Sequence, residues 1–218
     1  MIADRLRQIN SKLPSGVSLV AVSKFHPVER LMEAYAAGQR LFGENRPQEL
    51  AAKVPLMPAD VQWHFIGHLQ TNKLKMVLPY VAMVQSIDSV HLLEAVDQWC
   101  CREGKVMDVL LELHLGAEET KHGLSEGEIR AILSESSRFA GVRFRGLMGM
   151  ATHTENESLI RADFGRIQAL MQDLQAGFPG LDGFDQLSIG MSEDWTLALD
   201  YGATLIRIGT AIFGEREY

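Results

Sequence analysis

Along this chain, short β-branched apolar runs alternate with segments whose apolar residues recur every three or four positions. Ile2, Leu6, Ile9 and Leu13 predict a short leading helix over about 1–13 that Pro14 ends. The run 17–22 then reads as a strand, and Pro27 opens a helix that runs to Gly38, a C-cap residue. The same rhythm repeats. Strands are predicted over 41–43, 61–66, 82–87, 107–114, 142–148, 186–189 and 205–208. Helices are predicted between them over 47–54, 72–80, from Asp88 or Ser89 to 102, 125–140, 157–176 and 193–201. The pattern S-x-x-E from Ser125 to Glu128 is a capping box. A short tail follows the last strand. Eight strands alternating with helices predict an α/β chain closed into a single (β/α)8 TIM barrel, one domain over 1–218. An open doubly wound sheet is the alternative, but no Gly-rich dinucleotide fingerprint follows the first strand.

Composition narrows the field. The 218 residues suit a barrel of about 200–250 residues, and 46% hydrophobic content supplies a sizeable core. A net charge of −7 without a basic block argues against nucleic acid or an anionic membrane as main partner. It leaves room for a small anionic ligand held by a few local donors. Cys100 and Cys101 are adjacent, which makes neither a disulfide framework nor a CxxC metal site and suggests a reducing compartment. The N-terminus lacks the apolar core of a signal peptide, and no segment approaches the ~20 apolar residues that span a bilayer. A cytoplasmic protein is expected.

In such a barrel the loops at the C-terminal ends of the strands build the site. Those loops carry Ser23-Lys24, Glu44-Asn45-Arg46, Gly67-His68 and Gly190-Met191-Ser192, while strand eight carries Arg207 and leads into Gly209-Thr210. Loops after strands seven and eight commonly hold phosphate. Ser192 is expected at a helix N-cap, with Gly190 and Gly209 allowing close backbone approach and Thr210 adding a hydroxyl. Glu193 and Asp194 would repel phosphate unless they point outward; the alternative is ordinary turn and cap chemistry. Lys24 ends an apolar strand, where a desolvated amine is neutral enough to attack an aldehyde, although a lysine snorkelling to water is the simpler alternative. Arg207, between Ile206 and Ile208, needs an acceptor, either an internal carboxylate or a bound ligand.

The segments AVSKFHPVERLMEAYAAG, LFGENRPQEL, WHFIGHLQTNKLK, ETKHGL, GLMGMAT and LSIGMSEDWTLALDYGATLIRIGTAIFG occur in that order. Together they resemble the pyridoxal phosphate homeostasis proteins (YggS/PROSC type) over about residues 20–214. The resemblance implies a barrel like the N-terminal domain of alanine racemase, with pyridoxal 5′-phosphate (PLP) as a Schiff base, an internal aldimine, on Lys24. It implies that Ser192, Gly209 and Thr210 hold the phosphate, that Arg207 faces the pyridine nitrogen, and that Asn45 lies near the ring. Two places depart from the family's habit: Arg46-Pro47 where an aromatic often follows GEN, and His68 where proline or a small residue is frequent.

The implied function is storage, buffering or delivery of PLP, with PLP-requiring apoenzymes as candidate recipients and a monomer expected. Two alternatives remain open. An amino-acid racemase needs acid–base groups on both faces of the α-carbon. Lys24 serves one face, but Tyr35, Tyr80, Tyr201 and Tyr218 fall in helices, at their ends or at the terminus, and the second domain of alanine racemases is not expected here. A barrel enzyme acting on a phosphorylated metabolite shares the phosphate loops but needs no imine. Seven histidines raise the question of metal, but HExxH is absent and His64 and His68 span a strand and its loop. Lys121 and His122 read as solvated loop residues and Met148, Met150 and Met191 as packing.

Overall fold

The computed structural model describes residues 1–115 and 123–215. Eight parallel strands form a closed barrel in sequential order, β1-β2-β3-β4-β5-β6-β7-β8, which removes the open-sheet alternative. They are β1 (Ser18–Val22), β2 (Leu41–Glu44), β3 (Gln62–Phe65), β4 (Met83–Ile87), β5 (Met107–Leu113), β6 (Val142–Gly149), β7 (Gln186–Ser188) and β8 (Leu205–Ile208). Closure comes from β1 against β8, with Ser18 opposite Leu205 through Ala21 opposite Ile208.

The helices are α1 (Ile2–Asn10), α2 (Val28–Ala36), α3 (Pro47–Lys53), α4 (Leu74–Val77), α5 (Val90–Arg102), α6 (Glu126–Ser134), α7 (Glu157–Gly177), α8 (Trp195–Leu199) and α9 (Thr210–Phe213). Ser89 caps α5, accepting from the Leu92 N–H, and the Ser125–Glu128 capping box opens α6 as its spacing predicts.

Several ends differ from the sequence pattern. The stretch predicted as a helix over 72–80 is a 3-10 turn (Thr71–Lys73) and the short α4, after which Pro79 has no N–H with which to continue the ladder. The helix predicted to reach 140 ends at Ser134, followed by a 3-10 turn, Ser136–Arg138. The expected tail carries α9. Lys121 and His122 lie outside the described residues. Among the described residues no helix is long and apolar enough to cross a membrane.

Side chains alternate between the two faces of a strand, so each strand serves two cores. Leu19, Ala21, Val84, Val109, Leu147 and Ile206 pack outward under the helices. Val20, Met83, Leu110, Met148 and Leu205 point inward and fill the barrel's lower layer. That dry plug makes this barrel a packed core with a single working end.

Candidate functional site

Two residues further along each strand, about 6–7 Å nearer the C-terminal end, the inward layer changes character. Above Met83 comes Gln85, above Leu110 comes Glu112, and above Leu205 comes Arg207; His64 and Ser188 join them, all buried. Polar groups this deep must satisfy one another. Arg207 donates from one terminal nitrogen to the Ser188 carbonyl at 2.8 Å and its Oγ at 2.6 Å, and from the other to the Gly149 carbonyl at 2.9 Å. Ser188 Oγ in turn donates to Gln85 Oε1 at 2.6 Å. That leaves the Gln85 amide nitrogen to donate to His64 Nδ1, 2.8 Å away. The polarity of the chain therefore requires a neutral His64 with its proton on Nε2.

The electrostatics agree. Burial pushes His64 down to about 4. It likewise lowers Arg207 to about 10, against which Glu112 and Asp194 pull upward, so the guanidinium stays charged at neutral pH. Glu112 is raised to about 7 by burial and by the neighbouring Asp88, with Arg207 opposing.

Arg207 is thus the ceiling of the network and the floor of what lies above. A cleft of about 600 Å³ opens there, at the C-terminal ends of the strands. Lys24, Asn45, Ser192, Arg207, Gly209 and Thr210 all line it, together with His26, Met150, Met191 and the apolar walls Val22 and Ile66. Six residues spread over 187 positions of sequence (from Lys24 to Thr210) meet in one cavity. Lys24 is half-buried in the turn after β1, and Asn45 follows β2 directly. Asn45 Oδ1 is buried without a hydrogen-bond partner, an acceptor that a ligand's donor would satisfy. Gly67 explains its placement: a β-carbon there would stand 2.4 Å from the Asn45 carbonyl oxygen.

The segment after β7 reads differently from its sequence. Asp194, not Ser192, takes the position before α8, and it is buried rather than pointing outward. Its carboxylate accepts the Met191 N–H at 2.6 Å, which ties down the loop and occupies the charge. Burial raises the Asp194 pKa, while Met191 and Arg207 hold it down. Ser192 is left to accept from the Gly209 N–H at 3.4 Å, so its hydroxyl bridges the loops after β7 and β8. Gly190 allows the turn: its φ is 89°, and a β-carbon would meet that of Ala198 at 2.7 Å. The Thr210 and Ala211 N–H groups of α9 precede its first backbone bonds, which Ile212 and Phe213 make to the Gly209 carbonyl at 2.9 Å. The cleft wall therefore offers hydroxyls and backbone donors, as an anion requires.

Arg207 also corrects an expectation, since its hydrogen bonds go to two carbonyls and a serine hydroxyl rather than to a carboxylate. The two departures from the family pattern find local roles. Arg46 lies over the Phe25 ring at 4.9 Å, and His68 pairs with Asp88 at 2.7 Å. Tyr35 donates to Asp60 and Tyr201 packs on Phe164; no tyrosine among the described residues lines the cleft. His26, buried against Phe213, is a lining residue that the sequence pattern did not single out.

The family model for the alanine racemase N-terminal domain matches residues 1–217. A pyridoxal phosphate homeostasis protein of Vibrio alginolyticus is 37% identical over 212 residues, covering 95% of this chain and 90% of that protein. One of Schizosaccharomyces pombe is 40% identical over 207 residues, covering 92% and 84%. Among solved structures, PipY of Synechococcus elongatus PCC7942 with PLP bound superposes with a TM-score of 0.91 at 39% identity, covering 98% of this chain and all of that one.

Proposed function

Because this chain belongs to the pyridoxal phosphate homeostasis protein family, we propose that its barrel mouth binds PLP and holds it for intracellular storage, buffering or delivery. The carrying observation is convergence: an amine, a buried guanidinium, an unpaired amide oxygen and a hydroxyl-lined pair of loops face one cleft. PLP supplies an aldehyde that a primary amine captures with loss of water, without net oxidation or reduction. Lys24 is the amine that makes this bond. Ser192, Thr210 and the Gly209 backbone receive the phosphate, and Asn45 gains its missing partner at the ring's edge. Arg207 disfavours a proton on the pyridine nitrogen, since two positive charges would meet in a low-dielectric site. A ring kept unprotonated stabilises carbanions poorly, which favours holding over turnover.

The reading covers residues 1–218 as one monomeric unit in the cytoplasm, where free Cys100 and Cys101 are at home, with PLP-requiring apoenzymes as recipients. Borohydride reduction followed by peptide mass spectrometry is the test. PLP should be found covalently on the peptide carrying Lys24 and be absent from Lys24→Ala. Attachment elsewhere, or none, refutes the assignment. Loss of α-deuterium from amino acids at ordinary turnover rates, about 1–10³ per second, would instead favour the racemase.

A further inference from the structure

Lys24 sits in the turn between β1 and α2, and the residue after it is strained. Phe25 has φ 66°, in the left-handed region that a bulky side chain rarely occupies. Such a conformation persists only where neighbours impose it. Besides the His26 N–H, which closes the turn on the Ser23 carbonyl at 3.1 Å, two holding groups come from α3. Lys53 Nζ donates to the Ser23 carbonyl at 2.8 Å, on one side of Lys24. On the other side the Phe25 N–H donates to Glu49 Oε2 at 2.8 Å. Glu49 and Lys53 stand one helical turn apart and join each other at that same oxygen, 2.9 Å. Behind them, Lys53 reaches the buried Glu44 at 2.5 Å, which also accepts from Ser23 Oγ at 2.8 Å. Arg46 holds the remaining Glu49 oxygen at 3.3 Å. Neither Glu49 nor Lys53 lines the cleft.

We infer that Glu49 and Lys53 are positioning residues for Lys24: they clamp the backbone on both sides of it and so aim its amine into the cleft. The inference rests on the proposed bond between Lys24 and PLP. A general structural role would affect folding or ligand seating, whereas positioning affects the bond-forming step alone.

Glu49→Met keeps the side chain's length and removes the acceptor, while Glu49→Gln keeps an oxygen for the Phe25 N–H and Lys53. At saturating PLP, stopped-flow absorbance gives the first-order rate of capture. Calorimetric affinity for pyridoxine 5′-phosphate, an alcohol in place of the aldehyde, reads seating without capture. Glu49→Met should slow capture about tenfold or more, because small misplacement of a reacting group is costly. Its pyridoxine 5′-phosphate affinity should stay within about threefold of wild type, and Glu49→Gln should restore capture to within about threefold. The inference is overturned if Glu49→Met captures at the wild-type rate, loses capture and affinity together, fails to fold, or matches Glu49→Gln. Absence of capture in the wild type overturns the PLP reading itself, and this inference with it.

Discussion

Ser188→Ala tests whether the buried chain beneath the cleft works as a unit. The substitution removes one atom, an oxygen that accepts from Arg207 at 2.6 Å and donates to Gln85 at 2.6 Å. Losing a hydrogen bond to a charged group costs about 1.5–3 kcal/mol, and stranding the buried Gln85 oxygen costs about 1–3 kcal/mol. The Ser188 carbonyl still accepts from Arg207 at 2.8 Å, and both losses fall in one network, so they do not add fully. We expect a destabilisation of about 3 kcal/mol, equivalent to a Tm lower by roughly 6–12 °C in a chain of this size. Urea unfolding followed by the fluorescence of Trp63, Trp99 and Trp195 measures it. Gln85→Leu alone and in combination completes a cycle, and the two changes should couple by about 1 kcal/mol or more. A loss below about 0.5 kcal/mol for Ser188→Ala, or strict additivity, would mean that solvent or a rearranged Arg207 replaces the bond and that the chain is no unit.

Two further outcomes follow from the same layer and a third from the cleft above it. Glu112 is raised from 4.5 to about 7, so the folded state binds the extra proton and this group's stabilisation is lost as pH rises from 4.5 through 7. Relative to wild type, Glu112→Gln should therefore gain about 3 kcal/mol between pH 4.5 and 7.5, and a flat difference refutes the burial of that carboxyl. His64 is lowered from 6.5 to about 4, so its contribution is present above 6.5 and drains away as pH falls toward 4. His64→Gln should accordingly lose less stability on acidification than wild type, by about 3 kcal/mol between pH 7 and 4, read by the same urea titrations. Gly67→Ala, which drives a methyl into the Asn45 backbone, should cost about 1–3 kcal/mol and weaken pyridoxine 5′-phosphate binding; unchanged calorimetric affinity would remove Asn45 from the site.

Local chemistry by itself determined the barrel. Inward and outward faces of short parallel strands are both apolar, helices show a 3.6-residue period, and caps such as Ser125–Glu128 act within a few residues, so all of this is readable along the chain. Six of the cleft residues were legible for two reasons: a barrel puts every strand's C-terminal end on one face, which points to the loops and strand end carrying Lys24, Asn45, Ser192, Arg207, Gly209 and Thr210, and the resemblance to the family picks these six out of them. Which partner each polar group takes, by contrast, is settled in the folded chain. Asp194 rather than Ser192 precedes α8, Arg207 bonds carbonyls from β6 and β7, and Gln85 links Ser188 to His64 across the barrel. Glu49 and Lys53 likewise reach Lys24 from a different element. A hydrogen bond depends on ångström distances between strands remote in sequence, and periodicity carries no record of those distances.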